Sequence, residues 1–320
     1  MTITLAAPSA GDGVCALADY AELRAITAKD RNSSLQDLVQ DLKRSGTAIE
    51  GEEDLDDDEI PEPSDKMVEP FRTAAEEAFA ELDDRSVACG AGEAGYPFAL
   101  LARALQARQA PDDSIYLFLL LLSKYGKDSG PKKSHPEQLF EDICTRAAAA
   151  YFGGGALAGQ ALRFGHPRKG LPSNFRAALD AVCRQIGDGA SHEAPPRRGV
   201  HKDGNLDIVC WRPFPDKRHG TLLGFGQCAT GWNEWRSKAG ELQPQSFMSK
   251  FMREPFSVPP ARLFFVPWRV EKNDWRETCI DGGILFDRCR IALLTGDVGA
   301  SLRGQCRNWS REVMKKELGA

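Results

Sequence analysis

Nowhere do these 320 residues hold an apolar run near the roughly 20 residues that a membrane-spanning helix needs. The longest, Ile115 to Leu122, has the length of a buried core helix. The opening MTITLAAPSAGDG has no basic segment ahead of an apolar one, so no secretory leader is expected. CxxC pairs are also missing. The nine cysteines are scattered from Cys15 to Cys306, which argues against a zinc ligand set and a disulfide framework. Buried, reduced thiols in a cytoplasmic protein are expected instead. No histidine is placed to activate Cys228 as a nucleophile. What remains, 42% hydrophobic and 27% charged residues, is ordinary globular material for one large domain or two modest ones.

The net charge of −5 at first disfavours a polyanionic partner, but the charge is unevenly spread. Residues 1–130 hold 12 Lys and Arg against 26 Asp and Glu, whereas residues 131–320 hold 29 against 20. The C-terminal part is therefore basic and suits a polyanionic substrate. Much of the acidic excess lies in Glu50 to Glu59, EGEEDLDDDE, expected as a disordered, solvated linker near 50–65. A sharper expectation is that this run mimics DNA and occupies the basic cleft.

Taken in order, short amphipathic helices are predicted over Leu17–Ile26 and Leu35–Arg44, the second stopped by Gly46. Further helices are predicted over Val68–Leu82, Pro97–Ala107 and Ser114–Lys124. The stretch KYGKDSGPKKS marks the expected boundary between an acidic, all-helical N-terminal module (1–130) and a second domain (131–320). That second domain opens with an Ala-rich helix, Glu137 to Phe152. The basic segment RFGHPRKG follows, where Arg163, His166, Arg168 and Lys169 are candidate phosphate contacts. A helix over Asn174–Ile186 comes next.

The chain is organised around His201 to Leu242. Asp203-Gly204 is a turn dipeptide, and Leu206 to Trp211 alternates as a strand does, which places Asp207 inside a strand. A hairpin carrying Arg212, Lys217, Arg218 and His219 leads to a buried strand, Thr221 to Cys228. A helix then carries Trp232, Trp235, Ala239 and Leu242 on one side. Adjacent strands are about 5 Å apart, so Asp207 and Gln227 can converge on one ion. Further on, an aromatic-rich helix is predicted over Phe247–Phe256 and strands over Leu263–Pro267 and Gly283–Phe286. Trp268 and Trp275 are expected to pack rather than stack on bases. A helix over Asp287–Leu294 and a basic helix over Asn308–Leu318 complete the chain.

Asp203-Gly204-Asn205-Leu206-Asp207, followed by a strand, a hairpin and Gln227-Cys228-Ala229, resembles the PD-(D/E)xK nuclease superfamily. It is most similar to the methylation-dependent restriction endonuclease branch, where a D-G-G-I-D segment precedes a strand ending in QxK. Phe140-Glu141 resembles the Phe-Glu pair of that family's opening helix, and GILFDRCRIALL from Gly283 resembles its closing strand and helix.

The resemblance implies an α/β fold, a restriction-endonuclease-like core with a mixed central sheet flanked by helices. It implies metal-dependent DNA cleavage in restriction or antiphage defence. Asp207, Gln227 and the Cys228 backbone carbonyl would hold Mg²⁺ or Mn²⁺, and Glu141 would supply an acid. The family's lysine falls at Ala229, which cannot orient water. Lys238 on the following helix is its expected replacement, with Glu234 as a further carboxylate. Lys202 and Arg218 are further candidate DNA contacts. Partners implied are DNA, an ATPase, helicase or sensor subunit, and a second copy of the chain. The alternative is a catalytically degenerate nuclease fold that binds DNA or protein, for which Gln227 and Ala229 are the best arguments.

Overall fold

The computed structural model describes residues 5–9, 11–50, 65–90, 95–191 and 204–319. The acidic run from residue 51 onward and Lys202 lie outside the described residues.

The N-terminal part comprises α1 (Val14–Thr27), β1 (Asn32–Ser34), α2 (Leu35–Glu50), α3 (Asp65–Ala88), β2 (Phe98–Leu101), β3 (Ala104–Ala107) and α4 (Ile115–Tyr125). Two expectations fail here. Helix α2 does not stop at Gly46: a Cβ there would lie 2.9 Å from Phe71 Cζ, so the glycine lets α3 approach rather than ending α2. The predicted helix over 97–107 is a hairpin, and β1, β3 and β2 form a three-stranded antiparallel sheet. The module is therefore not all-helical. FALLARALQA is rich in helix formers, but Ala102 takes a left-handed φ of 53° and turns the chain. Phe98, Leu105 and Ala107 are then buried against α1 and α3, so tertiary packing overrides local propensity.

Helix α4 begins at Ser114, whose hydroxyl accepts a hydrogen bond from Tyr116 N. All eight side chains from Ile115 to Leu122 are buried, so this stretch of the helix has no solvent face. Seven of them share one core with α5 (Pro136–Phe152) and with strands of the C-terminal sheet, so apolar packing crosses the expected boundary near residue 130.

Buried charge crosses it as well. Arg85 of α3, fully buried, donates to Glu81, Asp19, Glu22 and the Cys15 carbonyl. Arg288, equally buried, donates to both oxygens of Asp19, and Arg269 bridges Glu81 and Asp287. Burial alone would raise Asp19, but Arg288 and Arg85 outweigh it and hold the carboxyl down at about 2.

The C-terminal part follows α5 with β4 (Gln160–Arg163), α6 (Phe175–Ile186), β5 (Ala190–Ser191), β6 (Ile208–Arg212) and β7 (Leu222–Cys228). After these come α7 (Trp235–Ala239), α8 (Pro244–Phe251), β8 (Met252–Glu254), β9 (Ala261–Phe265), α9 (Lys272–Gly282), β10 (Ile284–Phe286), α10 (Arg288–Leu294) and α11 (Ala300–Val313). A π-helical turn, Met314–Leu318, ends the described chain. The fold is α/β around a mixed five-stranded sheet in the order β10-β9-β7-β6-β4. Strand β6 runs antiparallel to both neighbours, while β7, β9 and β10 are parallel.

One sheet face, with Ile208, Cys210, Leu263, Phe265 and Phe286, packs on α4, α5, α10 and α11. The other carries Val209, Trp211, Leu223 and Phe225 against α6 and α8. Central strand β7 is glycine-interrupted for a steric reason. A Cβ on Gly224 would stand 2.6 Å from Phe152 Cζ and 2.7 Å from Cys210 Sγ, so only glycine admits α5 this close. Helix α7 spans five residues, ended at Gly240, so Trp232 precedes it and is 60% exposed instead of lying on its buried side. The predicted helix over 247–256 is α8 followed by β8.

Candidate functional site

The site lies where β4 and β7 end and β6 begins. Gly204 and Asn205 both take left-handed φ, 65° and 64°, and turn the chain toward β6. Asp207 stands immediately before β6 rather than inside it, but its peptide is fixed on both sides. Its N–H donates to Gly226 O at 2.9 Å, and its carbonyl accepts from Phe164 N and Gly165 N at 2.6 and 3.0 Å. The side chain is fixed too, since Oδ2 accepts from Cys228 N at 2.7 Å.

The other oxygen is directed elsewhere. A methyl group built on Gly165 would lie 3.1 Å from Asp207 Oδ1 and 3.2 Å from Glu141 Oε2. Two carboxylates, one from the first turns of α5 and one from the entry to β6, therefore flank a single methyl-sized space. Arg163, 7% exposed at the end of β4, stands 3.8 Å from Glu141 Oε2 and 3.4 Å from Asp142 Oδ1. It also donates to the carbonyls of Gln138 and Pro167. This arginine is a wall of the site, not the surface phosphate contact expected of it.

Gln227 occupies the central strand with 5% exposure. Its Nε2 donates to Glu241 Oε2 at 3.1 Å, and its Oε1 is buried with no hydrogen-bond partner. Beside it, burial pushes the Cys228 thiol well above its usual range. The hydrogen bond with Cys144 and the charges of Asp207 and Glu141 push the same way, so the sulfur is protonated at neutral pH and is no nucleophile.

Ala229, where the resemblance places a lysine, is fully buried among Trp235, Phe264 and Val266. Lys238 is half-buried and Glu234 exposed; the side chain of neither makes a hydrogen bond or ion pair with a described residue, so neither is brought to Asp207 by a contact. Sequence reasoning missed Glu241, Cys144 and the space at Gly165. Glu241 lies beyond the short helix and carried no periodic signal. Gly165, inside RFGHPRKG, sat among charges that drew attention to themselves.

The loop after β4 leaves the sheet at this same end. His166 and Lys169 are exposed on it, while Arg168 lies over the Phe164 ring at 4.7 Å and donates to the Ser173 carbonyl. Arg218 is at the other end, on the β6–β7 hairpin. Five strand residues separate the ends, on the order of 16 Å. It is thus placed away from the carboxylates.

Comparison with known proteins gives no match. No family model, no curated protein and no solved structure is similar to this chain.

The donor set fits a hard cation. Among the described residues no group of three His, Cys, Asp or Glu side chains is arranged around a metal ion. Mg²⁺, however, is commonly held by one or two carboxylates and several waters. The cradle at Gly165 offers two carboxylate oxygens.

Proposed function

We propose that this chain is a metal-dependent DNA nuclease with a restriction-endonuclease-like core. The observation that carries this reading is the approach of Asp207 Oδ1 and Glu141 Oε2 to the same space, from two elements whose backbones are fixed independently. The succession of α5, β6, β7, β10 and α10 also agrees with the opening helix, hairpin and closing strand and helix that the resemblance implies.

In this proposal Asp207 and Glu141 hold Mg²⁺ or Mn²⁺, and Gln227 and the Cys228 carbonyl are the further ligands that the resemblance implies. When bound, the ion supplies Lewis acidity toward a phosphoryl oxygen and acidifies a water. Cys228 N–H orients the Asp207 carboxylate, and Arg163 keeps positive charge next to Glu141. Lys238, on the helix that follows the central strand, is the cation assigned to the attacking water. No helix among the described residues is long and apolar enough to cross a membrane. A defence role, an ATPase, helicase or sensor partner and self-association rest on the resemblance alone.

One observation favours a second reading, a degenerate fold that binds DNA without cutting it. The lysine position is a buried alanine in an apolar cluster. The two are separated by cleavage of plasmid and single-stranded DNA with Mg²⁺ or Mn²⁺. Asp207→Ala and Glu141→Gln are each expected to lose at least about 100-fold in rate, and Lys238→Ala a comparable factor. DNA binding by the wild type without any cleavage would select the second reading.

A further inference from the structure

A cavity of about 650 Å³ opens at the free edge of β4, lined by that strand, by α5 and by the start of α11. Its inner wall is Arg163, the residue whose other side faces Glu141. Arg163 is more than nine-tenths buried, and its Nε has no hydrogen-bond acceptor, Asp142 Oδ1 standing at 3.4 Å. The cavity and the carboxylate pair are thus neighbours separated by one guanidinium.

The lining is cationic once its internal pair is set aside. Arg163 is balanced by Asp142, which leaves Arg146 of α5 and Lys169 of the loop after β4. Both are exposed, and neither makes a hydrogen bond or ion pair with a described residue. The start of α11, Ala300 to Leu302, lines the same opening, and the N–H of its N-cap, Gly299, already donates to the Asp297 carboxylate at 2.9 Å. Two exposed cations without a described partner, on opposite sides of one opening at a free sheet edge, are a chemistry for anionic oxygens.

We propose that this cavity binds a backbone phosphate of the nucleic acid, next to the phosphate presented to Asp207 and Glu141, through Arg146 and Lys169. The proposal rests on the nuclease reading for the identity of its ligand. It adds a contact that fixes the strand along the β4 edge and is blind to sequence.

The test is binding, not cleavage, so the two readings fail separately. The full chain is titrated with a fluorescent 20-base-pair duplex in EDTA over a range of salt, as wild type and as Arg146→Gln/Lys169→Gln. A control, Lys217→Gln/Lys315→Gln, removes two exposed lysines that do not line the cavity. Loss of two phosphate contacts should flatten the slope of log K against log salt by about 1.8, with the control at the wild-type slope. Circular dichroism confirms that each variant is folded.

An unchanged slope in the cavity variant overturns the proposal, even if metal-dependent cleavage is found. An equal fall in the control overturns it as well, because the charges would then act from anywhere on the surface. Binding of inorganic phosphate without binding of DNA assigns the cavity to a free anion and overturns the backbone reading. A flattened slope with no cleavage under any metal retains the cavity and removes the nuclease.

Discussion

Two sets of charged residues in this molecule look alike in sequence and differ in every physical respect. Arg85, Arg288 and Arg269 are closed in, each guanidinium committed to carboxylates or carbonyls of α1, α3 and the segment around β10. Arg146, Lys169 and Lys238 stand at the β4 edge and after β7 with no partner in the described chain. The first set has spent its hydrogen-bonding capacity on architecture. The second retains it for something else. Counting basic residues merges the two, and only burial and partners tell them apart.

The largest effect that would break this comparison is expected in the buried set. Arg85→Ala takes the nearest cation from fully buried Glu22, leaving it Arg288 at 3.6 Å, and should cost about 3–5 kcal/mol. Urea unfolding measures it, and a loss within experimental error would mean that the network holds nothing together. Next is Ala229→Lys, which returns the lysine that the resemblance implies. The site is apolar and closed, so the variant should lose about 3 kcal/mol and gain no cleavage. An undiminished melting temperature with faster cutting would show instead that position 229 opens onto the carboxylates.

Smallest of the three is a pH effect. Asp19 is depressed from its usual 3.8 to about 2, so its contribution is fully present above about pH 4 and is lost as pH falls toward 2. The shift corresponds to roughly 2 kcal/mol. Asp19→Asn should therefore flatten the acid limb of the stability profile between pH 4 and 2, and parallel limbs in the two proteins would count against this pairing.

What the sequence made legible follows from which signals are local. Caps and stops placed α4 at Ser114, α6 between Asn174 and Gly187, and α10 after Asp287 within a residue or two. The alternation around Leu206 to Trp211 and the apolar run to Cys228 gave the two central strands, and so brought Asp207 and Gln227 to one end of the sheet. The β2–β3 hairpin was hidden because alanine, leucine and arginine favour helix, and only burial of Phe98 and Leu105 decides otherwise. The approach of Glu141 to Asp207 came from the resemblance, not from spacing, since 66 positions separate them and Gly165 joins them only in three dimensions. Arg163 was misjudged because charge is visible in a sequence and burial is not. The placing of Arg218 at the far end of the sheet was hidden because the end of a strand that a charge occupies is not visible either.

Helix α4 carries a consequence for how the chain is made. Seven of its eight buried side chains share a core with α5, α10 and α11, and the last of these follows nearly 200 residues later in the chain. At about 5–20 residues per second, the helix emerges from a ribosome roughly ten to forty seconds before its final cover exists. In that interval the apolar side chains of this helix lack their final cover in any producing cell. Slowing translation after residue 125, or depleting holdase chaperones, should therefore lower the yield of soluble full-length chain more than either treatment lowers that of a protein whose first helices cover one another.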